Sequence, residues 1–170
     1  RVRPVERKGV DLVIVLDTSK SMDANDVTPS RLSKAKLELN KLIKTLNGDR
    51  VAIIVFAGSS HLYLPLTTDY EAALLFLNEI ETDMIPNQGT SLSSALNTAL
   101  TAFTEELEKF KVVLLVTDGE DHEGEAIEVA KRATMAGMII NTVAVGSDEG
   151  GLIPIESNNK YKLDKKGRLV

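Results

Sequence analysis

An apolar run of strand length, Leu12 to Leu16, ends in Asp17, and two hydroxyls follow at alternate positions, Ser19 and Ser21. A carboxylate with two hydroxyl oxygens suits a hard divalent cation such as Mg²⁺ or Mn²⁺, and Ca²⁺ takes the same oxygen donors. The thiolates and imidazoles that favour zinc or copper are missing from the stretch. Two later positions offer matching chemistry. Thr90 lies in Asn87-Gln88-Gly89-Thr90-Ser91, at the start of a helical pattern, and Asp118 follows a further apolar run, in Thr117-Asp118-Gly119. Together Asp17, Ser19, Ser21, Thr90 and Asp118 supply two carboxylates and three hydroxyls, a direct or water-mediated shell for one hard cation with a position left open. Taken alone, the first stretch also reads as a strand followed by an ordinary turn rich in Asp and Ser.

For these residues to meet, the elements between them must bring three loops to one edge. Asp11–Leu16, Val51–Phe56 and Val112–Val116 are apolar enough to be buried strands, as in a parallel sheet, and Met138–Val145 reads as a fourth strand. His61–Leu66 alternates and ends near a proline, which suits an antiparallel edge strand. Between them lie helical patterns. One has Thr28 as cap, Pro29 in the first turn, apolar Leu32, Ala35, Leu39, Leu42, Ile43 and Leu46, and a stop at Gly48. A second is opened by a Thr68/Glu71 capping box and runs to Ile80. A third starts near Ser91, and a fourth spans about Glu125 to Ala136, closed by Gly137. The alternation predicts an α/β fold, doubly wound, with a mostly parallel central sheet, one antiparallel edge strand and helices on both faces. In such a sheet the functional crevice lies beyond the carboxyl ends of the strands, where strand order reverses, and Asp17 and Asp118 both stand at such ends. Residues 1–8, with four basic side chains against one acid, read as a linker; residues 9–170 read as one domain. Its last part, about 151–170, holds a short segment Leu152–Ile155 and a predicted hairpin of Tyr161–Leu163 with Arg168–Val170.

Composition narrows the function classes. A chain of 170 residues with 43% apolar and 26% charged residues has the makeup of a single globular domain. A net charge of -5 argues against general nucleic-acid binding. The chain has no cysteine, so disulfide frameworks and thiol catalysis are excluded. It begins at Arg1 without an initiator Met and carries no apolar run of bilayer length, so the expectation is an excised fragment of a longer protein.

Asp17-Thr18-Ser19-Lys20-Ser21 resembles the Asp-x-Ser-x-Ser motif of von Willebrand factor A domains, with Thr90 and Asp118-Gly119 matching that family's second and third loops. The resemblance covers about Gly9 to Val145. It implies that the five residues form a metal-ion-dependent adhesion site, whose open coordination position accepts an Asp or Glu of a protein partner. A narrower resemblance runs through Asp26-Val27-Thr28-Pro29-Ser30-Arg31-Leu32, Val55-Phe56-Ala57-Gly58, Leu64-Pro65-Leu66-Thr67-Thr68-Asp69-Tyr70 and Ile153-Pro154-Ile155 to the bacterial Bat proteins, named for Bacteroides aerotolerance. That likeness implies transmembrane helices flanking the domain, a periplasmic placement, a basic start leaving the membrane, and other Bat proteins or a MoxR-type ATPase system as partners. It also implies a last helix that would follow Val170.

The rival chemistries fit less well. A phosphoryl-transfer hydrolase of the haloacid dehalogenase kind, with Asp17 as nucleophile, needs a second acid two residues on, and Ser19 cannot protonate a leaving group. No Gly-x-Gly-x-x-Gly follows a strand, and there is no Walker-type loop. A purely structural module would be indifferent to Mg²⁺. His122 lacks a second His at ligand spacing, and His61 reads as a packed or exposed strand residue. The acids Glu120, Asp121, Glu123 and Glu125 read as a solvated loop and helix start, or as a rim that tunes which partners approach.

Overall fold

The computed structural model describes residues 9–103, 109–119, 125–147, 153–155 and 160–161. Five strands form one sheet: β1 (Val10–Asp17), β2 (Arg50–Phe56), β3 (Ser60–Thr67), β4 (Phe110–Thr117) and β5 (Met138–Ala144), in the order β3-β2-β1-β4-β5. β1 is parallel to both β2 and β4, β4 is parallel to β5, and β3 runs antiparallel to β2 at the edge. Among the described residues four α-helices cover it: α1 (Arg31–Thr45), α2 (Tyr70–Asn78), α3 (Leu92–Ala102) and α4 (Ala126–Met135). The doubly wound reading therefore holds, and β1 and β4 are the neighbours that the site requires.

Two-residue periodicity explains why β1 and β2 are apolar throughout Leu12–Leu16 and Val51–Phe56. Leu12, Ile14 and Leu16 of β1 pack with Val51, Ile53 and Val55 of β2 under α1 and α2. Val13, Val15, Ala52, Ile54 and Phe56, on the opposite face, pack under α3 and α4 against Ala95, Leu96, Ala99, Val129 and Ala133. On the α1 side, Leu39, Leu42, Leu114, Val116 and Val143 line a cavity of about 390 Å³.

Two helix starts differ from expectation. α1 begins at Arg31, with Ser30 as its cap accepting from the Ser33 amide, while Pro29 follows a cis peptide bond in the preceding connection. Ser30 satisfies the first-turn amide directly, so the helix starts after the proline instead of on it. α2 is capped by Asp69, whose carboxylate accepts from the Ala72 amide at 3.0 Å, one residue past the expected Thr68. The start of α3 at Ser91 and the Gly137 stop of α4, at φ +83°, are as read. Near the end, Pro154–Ile155 (β6) pairs antiparallel with Lys160–Tyr161 (β7). Residues 1–8 and 162–170, and with them the predicted linker and most of the predicted hairpin, lie outside the described residues.

The amino end of β1 carries a buried ion pair. Asp11, fully buried, accepts from Arg50 Nε at 2.8 Å and Nη2 at 2.6 Å, with Lys109 Nζ at 4.0 Å. Removing one partner of such a pair leaves a buried charge uncompensated, which costs about 3–5 kcal/mol. Arg50→Ala is therefore expected to lower unfolding stability by about that amount in urea titrations monitored by circular dichroism.

Candidate metal centre

The site is built at the carboxyl ends of β1 and β4, where the chain departs in opposite directions along the sheet. Asp17 ends β1 with no exposed surface. Its Oδ1 accepts from the Ser19 amide at 2.9 Å, and its Oδ2 accepts from the Thr117 hydroxyl at 2.7 Å. The second bond follows from register: Leu16 pairs with Val116, so Asp17 and Thr117 fall side by side on one face. Just past the strand, Thr18 ties the turn to β2, its amide and hydroxyl both bonding the Phe56 carbonyl, at 2.7 and 3.0 Å. A short 3-10 turn, Lys20–Asp23, then folds the chain so that the Ser19 and Ser21 hydroxyls stand 2.9 Å apart, both buried.

The loop bearing Thr90 is pinned from two sides. The Ser91 amide bonds the Ala57 carbonyl at 2.8 Å, and the Gly58 amide bonds the Asn87 carbonyl at 2.9 Å. Gln88 reaches the first turn, accepting from the Lys20 amide at 3.1 Å while its Nε2 donates to the Ile85 carbonyl at 2.7 Å. Position 58 must be glycine for this docking, because a Cβ there would lie 2.7 Å from the carbonyl oxygens of Asn87 and Gln88. Thr90 ends up 3% exposed.

Asp118 closes the site from β4. Its Oδ2 accepts from Arg31 Nη1 at 3.1 Å, while Oδ1 is buried and has no hydrogen-bond partner. Gly119, at φ +91°, turns the chain away and donates its amide to the Thr117 hydroxyl at 3.1 Å. Arg31 is gripped from behind by Asp26, through Nε at 2.9 Å and Nη2 at 3.1 Å, and Asp26 also accepts from the Ser147 amide at 2.7 Å.

Thus Asp17, Ser19 and Ser21 form one bonded cluster, Asp118 stands close enough for its charge to act on Asp17, and the Thr90 loop is fastened to the same turn. Thr117, Gln88 and Arg31 are components that sequence reading missed. Thr117 sits next to a candidate ligand, but its role depends on strand register; Arg31 reaches Asp118 across 87 residues, which no local spacing reveals. Among the described residues no three His, Cys, Asp or Glu side chains cluster as a metal site, since this set has two carboxylates and otherwise hydroxyls. The loop acids 120–123, His122 included, lie outside the described residues. The donor set nonetheless fits a hard cation: all oxygens, enclosed, with one carboxylate oxygen orphaned.

Burial pushes the Asp17 carboxyl up to about 6, against the opposing hydrogen bonds from Thr117 and Ser19, and the Asp118 charge adds to the rise. Asp26 moves the other way, to about 2, chiefly through its hydrogen bonds from Arg31. For Asp17 the folded chain holds its proton after the unfolded chain has lost it at about 4, so this group's contribution falls as pH rises from about 4 through about 6. For Asp26 the contribution is present above about 4 and is lost as pH falls towards about 2. Denaturation in chelator should accordingly show Asp17→Asn gaining on wild type between pH 4 and 7, by up to about 3 kcal/mol. A gap that does not change with pH would contradict this.

Residues 12–120 match the von Willebrand factor type A domain, and the chain belongs to that family. Within it, the chain is similar to BatB of Bacteroides thetaiotaomicron, at 42% identity and TM-score 0.91, over 95% of this chain and 79% of that one. It is also similar to an aerotolerance-related membrane protein of Bacteroides fragilis NCTC 9343, at 41% identity and TM-score 0.91, over 95% and 80%. The fold alone is shared with proximal thread matrix protein 1 of the mussel byssus, solved with a zinc-occupied MIDAS motif, at 19% identity and TM-score 0.69, over 82% and 39%. The chain spans about half the length of the curated relatives it matches; a UPF0353 protein of Nocardia farcinica is 27% identical over 89% of this chain and 49% of its own. Among the described residues, no helix is long and apolar enough to cross a membrane.

Proposed function

We propose that this domain is a metal-dependent protein-binding module in which Asp17, Ser19, Ser21, Thr90 and Asp118 hold one Mg²⁺ or Mn²⁺, directly or through water, and an acidic side chain of a partner protein completes the coordination. The observation that carries the reading is the buried, unpartnered Asp118 Oδ1 beside the bonded Asp17, Ser19 and Ser21 cluster. A buried carboxylate oxygen without a donor is rare and calls for an ion or water. When bound, the cation supplies a concentrated positive charge; hydroxyl and water ligands neutralise little of it, so it still attracts a carboxylate. The chain's own residues do the rest: Thr117 and the Ser19 amide orient Asp17, Gln88 fastens the Thr90 loop to the first turn, and Arg31 bonds Asp118. The zinc-occupied motif of the mussel protein lends support from within the same fold.

The likeness to BatB and to the aerotolerance-related membrane protein favours a membrane-anchored Bat-type assembly, on the periplasmic side, with other Bat proteins or a MoxR-type ATPase system as partners. No feature of the site favours hydrolysis: Ser19 stands where a general acid would be needed.

Pull-down from native membranes tests the reading. Wild type in Mg²⁺ is expected to capture a partner that it releases in chelator, whereas Asp17→Ala and Ser19→Ala capture none while remaining folded. Equal capture by the variants in Mg²⁺ and in chelator, at wild-type strength, would sink the reading. A second measurement concerns Thr117. Loss of an outer partner that orients a ligand typically weakens metal affinity about 10–100-fold, so Thr117→Val should reduce Mn²⁺ affinity by that order in a calorimetric titration.

A further inference from the structure

We propose that Arg31 is the resident counter-cation of this site: it competes with a divalent cation for Asp118 and so holds down the affinity for that cation. The inference rests on the metal-binding reading above and adds to it a residue that opposes loading.

Arg31 is the first residue of α1, with its side chain only 12% exposed. Its guanidinium donates from Nε and Nη2 to the two oxygens of Asp26, at 2.9 and 3.1 Å, and from Nη1 to Asp118 Oδ2 at 3.1 Å. Asp26 is fixed in turn by the Ser147 amide. The fork is therefore held from behind and aimed forward. A planar guanidinium gripped on one edge loses little further freedom in bonding with the other. Asp118 keeps Oδ1 unpartnered, so Arg31, whose charge is shared with Asp26, engages this carboxylate without saturating it.

Loading sets a divalent cation and a guanidinium against the same carboxylate, Asp118, although Asp26 also pairs with the guanidinium. A cation beside Asp118 Oδ1 meets a guanidinium bonded to the other oxygen of the same group, and attraction to Asp118 must be shared. A hydrogen bond to a charged group weighs enough to move an equilibrium roughly ten- to a hundredfold, so its weakening on loading is large enough to measure. By linkage, whatever Arg31 adds to the stability of the metal-free form relative to the loaded form it subtracts from metal affinity. If Arg31 chiefly orients Asp118 for the metal, its removal weakens binding.

The test combines Mn²⁺ titration by electron paramagnetic resonance with thermal unfolding in EDTA and in saturating Mg²⁺. It uses wild type, Arg31→Gln, Arg31→Lys, Asp118→Asn and the Arg31→Gln/Asp118→Asn double variant. Arg31→Gln is expected to bind Mn²⁺ roughly tenfold more tightly than wild type, to melt lower in EDTA, and to recover most of that deficit in Mg²⁺. Arg31→Lys, which keeps the charge but not the fork, falls between. With Asp118 already Asn, the gain from Arg31→Gln drops to about threefold or less, because the shared carboxylate is gone. Should Arg31→Gln fold only with metal present, that outcome also supports the proposal, and the Lys variant carries the affinity comparison. Unchanged or weaker Mn²⁺ binding by Arg31→Gln, in a background where wild type binds, overturns the proposal and leaves the metal reading intact. A wild type that binds no Mn²⁺ removes the metal reading, and this proposal falls with it.

Discussion

Placing a carboxylate where water cannot reach it costs several kcal/mol unless donors or opposite charge compensate, and Asp17 occupies such a place at the end of the central strand. Much of the surrounding structure acts on that cost. The β1 and β4 register sets Thr117 against one oxygen, and the tight turn after β1 returns the Ser19 amide to the other. Both donors are neutral, and burial still prevails, leaving the carboxyl near 6. The strand-order reversal between β1 and β4 allows this crowding, because it lets two loops leave in opposite directions while a third, pinned at Gly58, closes over the gap.

β1 carries a second fully buried aspartate at its other end, and the contrast is informative. Asp11 receives a two-bond guanidinium from Arg50, with Lys109 behind it. Asp17 receives neutral donors from Thr117 and Ser19, and its neighbour Asp118, bonded by Arg31 at one oxygen, has a second oxygen that bonds nothing. One end of the strand is electrostatically finished by the chain itself. The other keeps one buried acceptor, Asp118 Oδ1, without a donor.

Sequence made the sheet legible because parallel strands covered on both faces must be apolar at every position, as Leu12–Leu16 and Val51–Phe56 are, while the alternation and Pro65 of β3 mark an edge. The caps of α1 and α2 were misplaced by two residues and by one because neighbouring residues, Thr28 and Ser30, or Thr68 and Asp69, satisfy the same local rule. Which one caps depends on how the chain arrives, and that is a tertiary matter. The site divides along the same line. Asp17, Ser19 and Ser21 are legible because their chemistry is local. Thr117 depends on register, Gln88 on a loop contact across 68 residues, and Arg31 on a helix crossing to β4, none of which is encoded in spacing.

The direction of β1 has a mechanical consequence. The chain enters this strand at Val10 and reaches the site at Asp17, roughly 23 Å away at 3.3 Å per residue. A tether before residue 10 and a partner gripped at the far end would pull along this one strand. β1 is hydrogen-bonded to β2 and β4 along nearly its whole length, so such a pull loads both ladders in shear, all bonds together, instead of peeling them apart one at a time. Under such a load the line of force would run through the central strand of the sheet.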